Sequence, residues 1–448
     1  MISLARKLRT ADYFALGFGT MVGAGWLVLM DDWLARGGPV GAILGFAIGG
    51  LALLPIGYVY GQLVMAIPDA GSEITYTARV FPPSVSYGTG WMMMLAYLIV
   101  CPWEAVAVGR IAAYIFPGLN SFPLYSVGGQ TVYLPHLALG LALTALITLF
   151  NYRGIRLSAT LQTWATFSVL ALFVVFCSAG IVRGRPANFT PPFSHGGWIS
   201  VLLVLQIVPY FMTGFESVPK CAEESSPEFR SRGFFGAILA ALLVGVLFYT
   251  AAIAVVAYVY PWRSLAGTSF ATAVAFERAF GSRWIVNIIL LAALLSLVKI
   301  FNGNFIAASR LLYALGRNGM IRARTGEVHP VYRTPCIAVI GLGVLTAAAV
   351  FLGDAILVPI SEVGSLASIV GWFAACSAYF YIATEVRQRG IAAVGALVAV
   401  LLMGMKVLPF VPGHFTRYEW LALGLWLAAG AALRRGVAPA VAGAGEEA

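Results

Sequence analysis

The chain has 448 residues, of which 60% are hydrophobic and 10% charged, with a mean hydropathy of +0.88. Soluble domains average about 45–50% apolar and about 25% charged residues, so an ordinary soluble domain is excluded and the excess apolar surface belongs in a bilayer. The formal net charge of +10 does not indicate a nucleic-acid partner, because the basic residues sit in short links between apolar runs rather than on one face.

Residues 1–12, a short cytoplasmic N-terminus, carry Arg6, Lys7 and Arg9 ahead of the first apolar run. That run holds four glycines and no small-residue cleavage site, so it reads as a retained helix rather than a signal peptide. A spanning helix needs about 20 apolar residues. Twelve runs meet that need: 13–31, 40–66, 87–116, 134–152, 158–182, 198–218, 233–260, 284–312, 336–353, 359–384, 391–411 and 418–434. The last stretch, 435–448, is rich in Ala and Gly, carries Glu446 and Glu447, and reads as a cytoplasmic disordered tail.

With the N-terminus inside, 18 of the Arg and Lys residues of the links fall on the inner side and 8 on the outer. This asymmetry favours both termini in the cytoplasm and an even number of spans. A multi-pass protein of the cell membrane is therefore expected. The five cysteines show no CxxC pair and accompany no His cluster, so they read as small buried residues rather than ligands.

The first run contains GFGTMVGAGWL, with Gly17, Gly19, Gly23 and Gly25. Such spacing can mark close helix packing. Gly23-Ala24-Gly25 at mid-span also permits unwinding, which is tolerated in a bilayer only beside protein or a polar cavity. The sixth run reads QIVPYFMTGFESVPKCAEE, with Pro209, Gly214 and Pro219 around Glu216. Proline removes a donor and clashes with the preceding turn, so a second break is expected, with a simple kinked end as the alternative. Runs one to five (13–182) and six to ten (198–384) then suggest two repeats of inverted orientation, each broken in its first helix, followed by 391–434. A half-helix N-terminus offers N–H groups to a carboxylate, and unwound carbonyls offer acceptors to an ammonium. That pair of partners suits an amino acid.

On these residues the chain resembles the amino acid–polyamine–organocation superfamily. GFGTMVGAGWL is similar to its glycine-rich first helix, and PYFMTGFESVPKCAEESSPEFRSRG to its sixth. NGNFIAASRLLYALGRNG resembles its eighth helix, and HPVYRTPCIAV the proline pair leading into the ninth. The resemblance covers roughly residues 10–385. It implies an all-α, LeuT-like five-plus-five inverted repeat with about 12 transmembrane helices, helices one and six discontinuous, and two further C-terminal helices. It implies a secondary active amino acid permease working by alternating access. It also implies that Val22, Gly23, Ala24 and Gly25 surround the substrate carboxylate, with Phe211, Gly214 and Phe215 by the amino group and side chain. The chain departs from many relatives at Ala24, where they carry Ser; the hydroxyl is lost and backbone amides are left to do the work.

Buried charge marks two further substrate-site candidates, Glu104 in run three and Lys299 in run eight. A charge at mid-bilayer costs about 2.5–3.5 kcal/mol on insertion scales and usually faces a cavity or a partner. Either the two meet near the solute and neutralise each other, or each finds local polar partners. Arg110, two turns past Glu104, is read as snorkelling to the outer surface. Some proton-linked relatives carry a lysine in the fifth helix; run five here has none and offers Thr166, Ser168 and Val169. Glu104, Ser168 and Lys299 are thus the candidates for coupling to H+ or Na+, and exchange without an ion is equally open.

No cofactor or metal is expected. Neither GxxxxGK[ST], HExxH nor GxSxG occurs, and His136, His195, His329 and His414 lie far apart in links or near span ends. A membrane-embedded enzyme and a solute sensor on a transporter scaffold are the competing readings. Trp26, Trp103, Phe211 and Phe215 suit a pocket that tolerates apolar groups. The expected substrate is a neutral amino acid, then a cationic amino acid or polyamine, then another organic amine. The expected partners are that small molecule and the lipid bilayer, with no nucleic acid.

Overall fold

Apolar runs fold as helices in hydrocarbon because every backbone N–H and C=O must find a partner within the chain. The computed structural model describes residues 3–434, with side chains described outside 354–361. The C-terminal tail, 435–448, lies outside the described residues, as do residues 1 and 2 of the N-terminal segment. Among the described residues, eight helices are long and apolar enough to cross a membrane. The protein is a mostly helical, multi-pass membrane protein.

The first run becomes α1 (Thr10–Met21) and α2 (Gly25–Val28), separated by extended backbone at Val22 (φ −96°, ψ 109°). The chain passes almost directly into α3 (Met30–Ala52) and α4 (Leu54–Ala66). Only Gly38, at φ +62°, turns it from the first span into the second, followed by Pro39. A side chain at Gly38 would also strike the backbone of Phe193 and Ser194. A short α5 (Glu73–Ala78) leads to α6 (Pro83–Leu98) and α7 (Val100–Ile115), which together form one span bent at Ile99.

Next comes an antiparallel hairpin, β1 (Pro123–Val127) and β2 (Gln130–Tyr133). Its turn is Gly128-Gly129, both at positive φ, the backbone that a two-residue hairpin loop demands. In the sequence this stretch is a link between apolar runs, and its paired glycines between strand-forming residues are the local signal for the hairpin. Two long helices follow, α8 (Leu134–Arg153) and α9 (Ile155–Arg183).

The sixth run breaks into α10 (Gly197–Leu205), α11 (Val208–Met212) and α12 (Ser217–Lys220). Then come α13 (Arg232–Val259), a short α14 (Ala271–Phe280) and α15 (Arg283–Arg317). The chain closes with α16 (Cys336–Val350), α17 (Asp354–Ile382), α18 (Val386–Val407) and α19 (Arg417–Leu433). The broken helices sit at the centre: α1 packs on α13, α9 and α15, while α11 packs on α17 and α3. Helices α9 and α18 are far more exposed along their lengths and form outer faces.

Candidate functional site

The break in the first span leaves carbonyls and amides to be accounted for one at a time. The carbonyls are satisfied by side chains from neighbouring helices. Tyr249 of α13 donates to Met21 O at 3.0 Å, and Asn304 of α15 donates to Thr20 O at 3.1 Å. Ser296 Oγ stands 3.1 Å from Gly23 O and 3.4 Å from Val22 O. Lys299 Nζ donates to Val22 O. The amides are different: among the described residues no backbone carbonyl accepts from Gly23, Ala24, Gly25 or Trp26.

The second break supplies the complement. Gly214 adopts φ +140°, a conformation that glycine alone enters without strain. Its own N–H donates to Glu216 Oε2 at 3.0 Å. The hydroxyl of Thr213 donates to Pro209 O, or to Ser368 Oγ of α17, each at 2.7 Å. No donor among the described residues bonds the carbonyls of Phe211, Met212 or Thr213. The two breaks touch: a Cβ on Gly214 would lie 2.6 Å from Met21 N, and one on Gly25 would lie 2.5 Å from the Phe211 ring.

Between them is a small cavity of about 20 Å³. A single water needs about 10–15 Å³ measured this way, so an organic solute enters only if the walls part. Thr20, Met21, Gly23 and Gly25 form one wall and Tyr210, Phe211 and Thr213 another; Trp103, Glu104, Tyr249, Asn304 and Ser368 line it as well. Three buried oxygens in this lining, Thr20 Oγ1, Glu104 Oε2 and Asn304 Oδ1, have no hydrogen-bond partner. Unpartnered acceptors in a buried site favour a ligand rich in N–H groups.

Of the residues named from sequence, Gly23, Gly25, Trp103, Glu104 and Phe211 line the cavity. Val22, Ala24, Gly214 and Phe215 flank it. Phe215 is fully buried beneath, its ring 5.8 Å from those of Tyr60 and Trp372. Lys299 is also outside the lining, and its ammonium lies 5.2 Å from the Phe18 ring centroid. The direct Glu104–Lys299 pairing expected as one alternative is not formed: no ion pair within 4 Å joins them. Lysine's reach is spent on the Val22 carbonyl, while Glu104 lies by the next residue of the break, its Oε1 3.0 Å from a Cβ built on Gly23. From α9, Gln162 and Thr166 face the body of α1 one to two turns before the break, each 3.3 Å from Ala15 O. Ser168 is half-buried. Trp26 is buried against Phe176 rather than in the cavity.

Several polar residues of the site were not foreseen. Thr20, Tyr210, Tyr249, Ser296, Asn304 and Ser368 are single polar positions inside apolar runs, and only a mid-span location distinguishes them.

The end of the bundle carrying the N-terminus is sealed. Arg310 binds Glu224 bidentately at 2.8 and 3.0 Å, with both side chains fully buried. Lys220 pairs with Glu73 at 2.7 Å, again fully buried. Arg317 reaches Asp69 at 2.8 Å and Glu223 at 2.7 Å. The N-terminal segment crosses over this seal, with Lys7 and Leu8 amides donating to Glu224 O at 2.8 and 2.9 Å. At the opposite end a cavity of about 520 Å³ lies among α7, the hairpin, α8 and the start of α15. Arg110 lines it and is exposed, which fits a side chain reaching the surface.

A family model described as Amino acid permease matches residues 8–429. The chain is similar to the branched-chain amino acid permease BcaP of Bacillus subtilis, 26% identical over 82% of this chain and 78% of that one. It is similar to the methylthioribose transporter of the same organism, 27% identical over 74% and 72% of the two chains. It is also similar to the vacuolar cationic amino acid transporter 4 of Arabidopsis thaliana, 28% identical over 83% of this chain and 62% of that one.

Proposed function

Since this chain belongs to the amino acid permease family, and so is a transporter and not an enzyme, we propose that it is a secondary active carrier of amino acids across the cell membrane, working by alternating access. The solute lies at the midplane between the two breaks. Its carboxylate takes the amides of residues 24–26, with the Gly23 amide turned to the Tyr249 hydroxyl, and its ammonium takes the carbonyls of 211–213, with Glu104, Thr20 and Asn304 completing the amine side. The observation that carries this reading is the pairing of amides at 24–26 on one broken helix with carbonyls at 211–213 on the other, neither set taken by a backbone partner among the described residues.

Twelve spans, arranged as two five-helix inverted repeats plus two, remain our reading of the architecture. Its support is that each break falls in the first span of its half. With both termini cytoplasmic, the ion pairs around Glu224 and Glu73 form the inner gate, and substrate arrives from the outer side. A neutral amino acid leads the substrate ordering, because the names of relatives include a branched-chain permease and the wall facing Glu104 is largely apolar. A cationic amino acid or another organic amine follows, as the unpartnered acceptors allow.

For coupling, Lys299 is the strongest candidate. Its ammonium occupies the carbonyl at the break where a free cation would otherwise bind, so loss of a proton from Lys299 removes the charge and weakens that hold. Glu104 is the second, and H+ is favoured over Na+.

Uptake of labelled amino acids into liposomes containing the purified protein tests the proposal. Accumulation that depends on an imposed proton gradient supports it. Binding without flux would make the chain a sensor, and chemical conversion of the solute would make it an enzyme.

A further inference from the structure

We propose that a crevice among α6, α15, α16 and α19 is a binding site for an anionic phospholipid that braces the last helix against the transport scaffold. The crevice encloses about 440 Å³. Met94 and Leu98 of α6, Leu342 and Leu345 of α16, and Trp426 of α19 wall it. It opens sideways, where Leu345 is 47% and Leu433 is 55% exposed. Gly341 faces the open space, since a Cβ built there meets no atom within 4 Å.

The mouth lies at the N-terminal end of the bundle. Leu4 packs there on Tyr313 and Ala338, next to the loop that follows α15. Arg322 of that loop lines the mouth, is exposed, and has no ion-pair partner among the described residues. Thr325 stands beside it, and no lining residue is a carboxylate. A second cation, Arg434 at the end of α19, lies 5.5 Å from the Tyr87 ring centroid. From Trp91 to Leu98 the crevice wall runs about 10 Å along α6, roughly two thirds of one leaflet of a 30 Å hydrocarbon core. Apolar depth under a cationic mouth fits a phosphate head with an acyl tail. It offers a soluble anion no use for the depth and a neutral lipid no use for Arg322.

Occupancy matters because of what the walls carry. Helix α6 continues into α7 with Glu104, and α15 carries Lys299. On the α19 side Trp91 and Trp426 stack at 4.5 Å and exchange indole-to-carbonyl hydrogen bonds of 2.9 and 3.2 Å, and the Tyr87 hydroxyl donates to Gly430 O at 2.6 Å. A lipid in the crevice adds contacts to all four helices.

The test is thermal unfolding of the full chain in nanodiscs of phosphatidylcholine alone or mixed equally with phosphatidylglycerol. The proposal expects the mixed bilayer to raise the melting temperature by several degrees. Arg322→Gln and Gly341→Leu, the second filling the crevice, should each abolish that rise while leaving the melting temperature in phosphatidylcholine unchanged. A rise that survives both substitutions overturns the proposal. So does a rise produced by soluble glycerol phosphate alone, or a lipid-independent dimer that Gly341→Leu dissociates, which would assign the crevice to a second copy.

Discussion

The ammonium of Lys299, in the middle of α15, donates to the carbonyl of Val22 at the break in the first span. This one bond joins a long, unbroken helix to the point where another gives up its internal hydrogen bonding. It also explains how a lysine survives with no exposed surface in a bilayer protein. Ser296, one turn earlier, supports the same carbonyl at 3.4 Å.

Lys299→Met removes the charged donor and leaves Val22 O with Ser296 alone. A hydrogen bond to a charged group contributes about 1.5–3 kcal/mol, and the variant should lose stability of that order. Denaturation of the detergent-purified protein measures it. Uptake by the variant should also stop responding to an imposed pH gradient. A variant that unfolds like its parent and still follows the gradient would remove Lys299 from both roles.

Glu104→Gln keeps the shape of the cavity wall and removes its negative charge. Binding of an ammonium should weaken by about one to two orders of magnitude, the equivalent of about 1.5–3 kcal/mol for a charge-assisted bond. Ligand-induced thermal stabilisation, which rises with ligand concentration over Kd, reads this out. Unchanged stabilisation by amino acids would mean the amine lies elsewhere.

Gly25→Ala drives a methyl into the Phe211 ring, which stands 2.5 Å from the position of that Cβ. Overpacking of this kind costs about 1–3 kcal/mol. Transport should fall sharply, and Phe211→Ala should restore part of it by making room. Failure of the second change to rescue the first would show that the two broken helices do not meet through this contact in the working protein.

Arg310→Met strands the buried carboxylate of Glu224, a loss of about 3–5 kcal/mol when one partner of a buried pair is removed. Arg310→Met combined with Glu224→Leu should recover much of that stability. The double change also unfastens the seal next to Cys221, which is fully buried. Labelling of Cys221 by a thiol reagent should therefore rise in the double variant. A thiol as protected as in the parent would mean that the pair is structural and not a gate.

Much of this protein could be read along the chain. Ten of the twelve expected runs fold as single helices or bent pairs, and eight helices among the described residues are long and apolar enough to cross a membrane, because an apolar run in a bilayer satisfies its own backbone most readily as a helix. The two expected breaks are present at Val22–Ala24 and Thr213–Glu216, since Gly and Pro act on their own backbone and need no distant partner. The hairpin at 123–133, α5 and α14 escaped notice because they lie in links, where hydropathy carries no signal.

Membership of the membrane, the helical class, the position of both breaks and the likeness to a transporter family were therefore fixed by residue order alone, through properties that act within a turn or two of chain. What each buried polar group does was decided only by folding. Residue order shows Glu104 and Lys299 both at mid-span. Only packing gives the lysine a carbonyl 277 positions away and leaves the carboxylate facing the cavity. The physical reason is range: a backbone preference is local, whereas a hydrogen bond between helices depends on rotation and depth that every neighbouring helix helps to set.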